Sequence, residues 1–281
     1  TGSSGSGTSS VKQTFSQIFR REGVNVAFVE GDAFHRYGRT EMAEAMAREA
    51  EGGNHHFSHF GPQANLFEKL EDTFRSFSED GTGVTRYYIH DAEEEAIHGT
   101  APGTFTEWED LPEGAELLFY EGLHGAVVTD DVNVAQYPDL KIGVVPVINL
   151  EWIQKIHRDK KTRGYTTEAV TDTILRRMPD YINFICPQFT ETDVNFQRVP
   201  TVDTSNAFIT RWIPTADESM VVIRFRDPHG IDFSYLSSMI DGSFMSRANS
   251  IVIPGAKMDL AMQLILTPMI MQLVERKRRA A

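Results

Sequence analysis

Gly2 and Gly7 stand five residues apart, with the hydroxyl residues Thr8 and Ser9 directly after them. That is the spacing of the phosphate-binding loop G-x-x-x-x-G-K-[ST], in which Gly2, Ser3, Ser4, Gly5, Ser6, Gly7, Thr8 and Ser9 would wrap the phosphates of ATP. Glycines are needed there because backbone N–H groups must turn inward, and a Cβ would block the approach. The Ser9 hydroxyl would ligate Mg²⁺. Thr8 stands where such loops usually carry lysine, and a Gly/Ser run also reads as a flexible linker or a cloning remnant. The neighbouring residues favour the loop: Val11, Phe15, Ile18 and Phe19 recur at helical spacing, giving the loop-to-helix order that phosphate binding uses. The strand that should precede the loop is missing, so the natural protein is expected to begin several residues upstream of Thr1.

Acids and cations further along supply the other parts of a phosphoryl-transfer site. Asp32, in Gly31-Asp32-Ala33-Phe34-His35-Arg36, follows a β-rich stretch, and ligands in open α/β sheets bind at the carboxyl ends of strands. A carboxylate there could take the proton of an attacking hydroxyl; a turn or helix-cap role is the ordinary alternative. Glu121 ends the apolar run Leu117–Tyr120, the place of a carboxylate that holds Mg²⁺, or of a simple loop cap. Lys155 and Arg158 lie three apart on one helix face and could replace the charge that Thr8 lacks, or form a solvated basic face. His35, Arg36, Arg39, Tyr88 and His90 could bind a substrate phosphate, a task suited to the arginine fork. The trio His55, His56 and His59 lacks a nearby acid or cysteine and is discounted as a metal site.

The elements that must position these residues are legible in outline. Strands are expected at 24–29, 117–120, 140–148, 220–226 and 250–253, and a hairpin across 83–90 and 105–108. Helices are expected around 42–50, 66–77, 151–161 and 167–178, with a last one from about Lys257 kinked at Pro268. Strand–helix alternation predicts an α/β fold: a doubly wound, mixed and mostly parallel sheet flanked by helices, with an antiparallel excursion near 80–115. The 281 residues are read as one domain.

A net charge of −13 argues against a nucleic-acid or anionic-membrane partner. Cys186 is the only cysteine, which excludes a disulfide framework and a cysteine zinc site. The apolar stretch from Met258 to Val274 is broken by Asp259, Gln263 and Pro268 and is too short and polar to span a bilayer. With no secretory signal in view, the chain reads as cytoplasmic.

GSSGSGTSS, EGDAFHR, FSHFGPQAN, LLFYEGLHG, VPVINLEWIQKIHRD and RGYTTEAVTDTILRR occur in this order, with TADESMVVIRFR and MSRANSIVIPG after them. With these motifs the chain resembles, along essentially its whole length, the bacterial-type phosphoribulokinases of the P-loop kinase superfamily. The resemblance implies ATP-dependent phosphorylation of ribulose 5-phosphate at its C1 hydroxyl, giving ribulose 1,5-bisphosphate for carbon fixation in the Calvin cycle. It makes Asp32 the base, Glu121 the metal-associated acid, and Lys155 and Arg158 cations serving the transferred phosphate, with Asp159 an adjoining acid that could share the metal. It links His35, Arg39 and Arg163 to the sugar phosphate. Ala43 stands where some relatives have a substrate-linked lysine, and the bacterial branch also lacks the loop lysine, in agreement with Thr8. A uridine-kinase-like enzyme and a non-catalytic nucleotide-responsive scaffold are the alternatives.

The family also implies a homo-oligomer that is activated by NADH and inhibited by AMP, with Arg224 and Arg247 as regulatory positions. Strand alternation puts Arg224 and Arg226 on one face and Phe225 on the other, and Arg247 comes later, in a Ser-Arg-Ala-Asn turn. Together they would form an anion pocket for the NADH pyrophosphate; the plain alternative is that arginines on an edge strand only discourage aggregation.

Overall fold

A computed structural model describes residues 1–2, 8–145 and 147–280, apart from the side chains of 8–10, 162–163 and 280. In chain order the first elements are α1 (Thr8–Glu22), β1 (Val26–Glu30), α2 (Arg39–Glu51), α3 (Phe67–Asp80), β2 (Val84–Thr85), α4 (Ala92–His98), β3 (Glu109–Asp110) and β4 (Leu117–Glu121). Next come β5 (Ile142–Val145), α5 (Ile148–Arg163), α6 (Thr167–Asp180), α7 (Gln188–Glu191) and β6 (Val194–Pro200). The last are β7 (Ser219–Phe225), α8 (Phe233–Met239), β8 (Phe244–Arg247), β9 (Ser250–Pro254) and α9 (Met258–Ala280). These elements form two units. One comprises 1–24, 139–174 and 191–281, the other 25–138 and 175–190.

In the second unit β1 and β4 pair in parallel, from Val26 opposite Leu117 to Glu30 opposite Glu121. Alternation in β1 turns Ala27 and Val29 inward, where they join Phe34, Phe67, Leu70 and Phe74 in one core. The amphipathic pattern of α3 accounts for its part of that core, since Phe67, Leu70 and Phe74 share one helical face. Burying each such side chain contributes roughly 1.5–3 kcal/mol. The antiparallel excursion exists as β2 against β3 and an isolated Tyr88–Phe105 bridge. Its strand is shorter than the expected 83–90: β2 ends at Thr85, and α4 follows from Ala92, its N terminus capped by the Asp91 carboxylate.

In the other unit α1 buries Val11, Phe15, Ile18 and Phe19, the periodic set read from the sequence. Its Arg21 donates to Gln263 Oε1 and Thr267 Oγ1 of α9, both at 3.0 Å. Thr1 and Gly2 pair in parallel with β5: Thr1 N donates to Ile142 O at 2.7 Å and Val144 N donates to Thr1 O at 2.9 Å. The sheet runs β5-β6-β7-β9-β8, with β5 and β6 parallel and the other neighbours antiparallel. The fold is therefore α/β with parallel and antiparallel strands, and its antiparallel part extends well beyond residues 80–115. Strands β6 and β8 were not expected from the sequence: β6 despite its partly alternating Val-Asn-Phe-Gln, and β8 because Phe-Met-Ser-Arg is short and does not alternate. The final helix continues through Pro268.

The β1 and β4 ends are brought together by two glycines. A Cβ on Gly122 would stand 2.6 Å from Gly31 Cα, and one on Gly31 would stand 2.8 Å from Gly122 Cα. Neither glycine has positive φ, so the requirement is space rather than backbone conformation. Gly122→Ala is expected to lower the unfolding free energy by about 1–3 kcal/mol in urea titrations, the usual range for overpacking. An unchanged denaturation midpoint would show that the strand ends are not in contact.

Candidate active site

Asp32 sits in a 3-10 turn, Gly31–Phe34, that begins where β1 stops. Its Oδ1 lies 3.1 Å from His35 Nε2 and its Oδ2 lies 3.5 Å from His90 Nε2. The Asp32 side chain is 40% exposed, whereas that of His35 is 9% exposed. Burial alone would raise the Asp32 pKa. The His35 hydrogen bond and the charges of His35 and His90 outweigh burial and hold the carboxyl at about 2.

The turn is held from outside by groups that reach its backbone. Arg86 donates to Ala33 O at 2.8 Å and to His35 O at 2.6 Å, with its guanidinium over the rings of Phe105 and Trp108. Arg36 donates to Gln63 O and Asn65 O, so the guanidinium expected to serve a substrate phosphate instead ties down the 62–66 segment. Arg39 donates to His90 O at 3.1 Å, and His90 packs edge-on against Tyr88, ring centres 4.9 Å apart. Asp32, His35, Arg39, Tyr88 and His90 thus form one connected set.

Glu121, half-buried, is the last residue of β4 and lies opposite Glu30. His59, from the histidine-rich loop, stacks on His35 at 4.4 Å between ring centres, and its buried Nδ1 has no hydrogen-bond partner among the described residues. His56 instead reaches Arg176 O. Among the described residues no group of three or more His, Cys, Asp or Glu could hold a metal. Magnesium needs less, because it takes one or two carboxylates and fills its remaining positions with water and substrate phosphate oxygens. A half-buried carboxylate at a strand end, such as Glu121, fits that hard-oxygen chemistry.

In the first unit Lys155 Nζ donates to Asp159 Oδ2 at 2.7 Å, and Arg158 Nε donates to Oδ1 at 3.1 Å. Lys155 and Asp159 are buried while Arg158 is 37% exposed, so this is no solvated basic face. Burial raises the Asp159 pKa, but the Lys155 hydrogen bond and both cationic charges lower it further, leaving the carboxyl depressed. In this arrangement both oxygens of Asp159 hold cations rather than a metal. Ser3–Gly7 lie outside the described residues, as do the side chains of Thr8, Ser9 and Arg163.

Arg224 and Arg247 are each register partners of Ser250, one on β7 and one on β8. Arg247 is therefore a strand residue and not part of a turn. Strand β7 lies between β6 and β9, so protection of an edge cannot explain Arg224. Arg226 falls beyond β7 and pairs with Glu191, Nη1 to Oε2 at 3.7 Å.

Residues 1–205 match the family model "Phosphoribulokinase / Uridine kinase family". The chain belongs to that family. It is 74% identical to a phosphoribulokinase of Nitrobacter vulgaris, over 100% of this chain and 97% of that one. It is 68% identical to the chromosomal phosphoribulokinase of Cupriavidus necator, over 100% and 96%. The solved structure of phosphoribulokinase from Rhodobacter spheroides matches with a TM-score of 0.91 at 63% identity, covering 99% of this chain and 96% of that one.

Sequence reading missed the inward supports of the site, Asn65, Arg86 and His124. The signal for Asn65 was a polar residue placed between Ala64 and Leu66, at the end of the Pro62–Ala64 3-10 turn. His124 is 3% exposed, with Nε2 donating to Phe60 O at 3.1 Å and its ring against Phe67. Burial lowers its pKa to about 3, only partly offset by the bond to Phe60. Its folded pKa is below its unfolded value of about 6.5, so this contribution to stability is present above that value and lost as pH falls toward 3. Between pH 7 and pH 5, the protein should lose roughly 2 kcal/mol more unfolding free energy than a His124→Gln variant. Equal losses in the two proteins would show that His124 is protonated in the fold.

Proposed function

We propose that this chain transfers the γ-phosphoryl group of ATP to the C1 hydroxyl of ribulose 5-phosphate, giving ribulose 1,5-bisphosphate for carbon fixation in the Calvin cycle. The observation that carries this reading is the 74% identity along the whole chain to a protein named phosphoribulokinase. The site geometry supports it with a carboxylate at a strand end, ringed by imidazoles and an arginine that suit an anionic acceptor.

Asp32 is the base in this reading. It takes the proton as the hydroxyl O–H bond breaks and the oxygen forms its bond to the γ-phosphorus; the bond to the β,γ-bridging oxygen breaks and ADP leaves. His35, Arg39, Tyr88, His90 and Arg163 surround the sugar phosphate. The backbone of Gly2 through Ser9 cradles the ATP phosphates, and Lys155 and Arg158, aligned by Asp159, neutralise the transferring group. Ser9 and Glu121 would hold Mg²⁺, whose charge offsets that of the β- and γ-phosphates.

The 281 residues are taken as one kinase domain, in a homo-oligomer working in the cytoplasm. NADH is the activator in this proposal and AMP the inhibitor. Arg224 and Arg247, on either side of Ser250, supply the cationic pair that an effector pyrophosphate would need. Asp32→Asn preserves shape but removes the proton acceptor, so kcat should fall at least about 10²-fold while KM for ATP changes little. Near-normal turnover on ribulose 5-phosphate in that variant would overturn the role of Asp32.

A further inference from the structure

Asn65 is 2% exposed and faces His35 across an isolated antiparallel bridge that also joins Arg36 N to Ala64 O and Leu66 N to Phe34 O. Its Nδ2 lies 2.9 Å from His59 O and 2.6 Å from Gly61 O. Carbonyl oxygens only accept, so that atom must be the amide NH₂ and the other must be the oxygen. Asn65 Oδ1 in turn lies 2.8 Å from His35 Nδ1. An amide oxygen cannot donate, so Nδ1 carries a hydrogen.

With Nδ1 fixed as a donor, His35 presents Nε2 to Asp32 Oδ1 at 3.1 Å. A bare Nε2 lone pair would oppose the carboxylate, whereas Nε2–H donates to it. Both ring nitrogens of this nearly buried histidine then carry hydrogen, so the ring is an imidazolium facing the Asp32 carboxylate. The second carboxylate oxygen faces a looser and more exposed partner, His90, at 3.5 Å.

We propose that Asn65 is a positioning residue: by accepting from His35 Nδ1–H it favours the imidazolium form of His35, whose Nε2–H occupies Asp32 Oδ1 and leaves Oδ2 to receive the substrate proton. This rests on Asp32 being the base, and it gives His35 a second role, through Asp32, beside its place at the sugar phosphate. During transfer the hydroxyl proton moves to Oδ2 while the His35 Nε2–H bond to Oδ1 is retained. Around the pair stand His90 and His59 beside Asp32, and His59 and His124 beside His35. Burial keeps His59 and His124 neutral near neutral pH, so neither adds a competing positive charge. The arrangement is an outer support of the kind whose loss weakens a site without touching substrate.

The test uses the full-length protein labelled with ¹⁵N-histidine, with the His35 signals identified by their absence in His35→Gln. In the resting protein at about pH 7 both ring nitrogens of His35 should read as protonated. In Asn65→Leu that signature should be lost and kcat should fall about 10- to 100-fold, with KM for ATP within about twofold. Asn65→Asp keeps an acceptor for Nδ1 and should regain most of the kcat. A neutral His35 ring in the resting wild type would overturn the proposal, and this reading stands whether or not the variants fold. Equal kcat losses in the Leu and Asp variants, with both ring nitrogens still protonated in the latter, would also overturn it. The protonation of His35 is read without substrate, so its failure leaves Asp32 as base untouched, whereas failure of that reading appears as turnover in Asp32→Asn.

Discussion

The parallel pairing of β1 with β4 is the constraint on which the second unit depends. Parallel strands in register end on the same side, and here they end at Glu30 and Glu121. Chain direction then sends one exit through Gly31 to Asp32 and the other through Gly122 to His124. The two glycines let those exits touch. A larger residue at either place would separate Asp32 from the strand-end acid Glu121, so the packing of two backbones determines where two carboxylates emerge.

Both units handle a carboxylate in the same way. Burial raises the pKa of Asp32 and of Asp159, and in each case hydrogen-bonded nitrogen donors more than reverse the effect. Asp159 is enclosed by Lys155 and Arg158 and is 3% exposed, whereas Asp32 keeps 40% exposure and an oxygen toward His90. The difference in access separates a structural anchor for cations from a group that can exchange a proton with a substrate. Arg36, Arg86 and Asn65 take no proton in this scheme. Their contribution is to hold carbonyls and one imidazole where Asp32 needs them.

Features that repeat at a fixed period or end an apolar run were legible in the sequence. The buried face of α1, the strands β1 and β4, and the placement of Asp32 and Glu121 at strand ends all belong to that class. Strand β8 escaped because its four residues, Phe-Met-Ser-Arg, place two apolar residues side by side and show no alternation between faces. Expectation and structure parted at Arg36 and Arg247 for a different reason. A guanidinium that reaches backbone carbonyls and one that reaches a ligand look alike in sequence, and a bulged edge strand looks like a turn. Asn65 lies thirty residues from His35, and no local pattern announces that they meet.

Acceptor choice tests the central claim most directly. ADP release should be measured at saturating Mg-ATP with ribulose 5-phosphate, ribulose, uridine and pantothenate as acceptors. A site lined by His35, Arg39 and His90 should favour ribulose 5-phosphate in kcat/KM by roughly 10³-fold or more, because the others leave its cationic groups unpaired. Comparable or faster turnover of uridine would contradict the assignment of this site to a phosphorylated sugar.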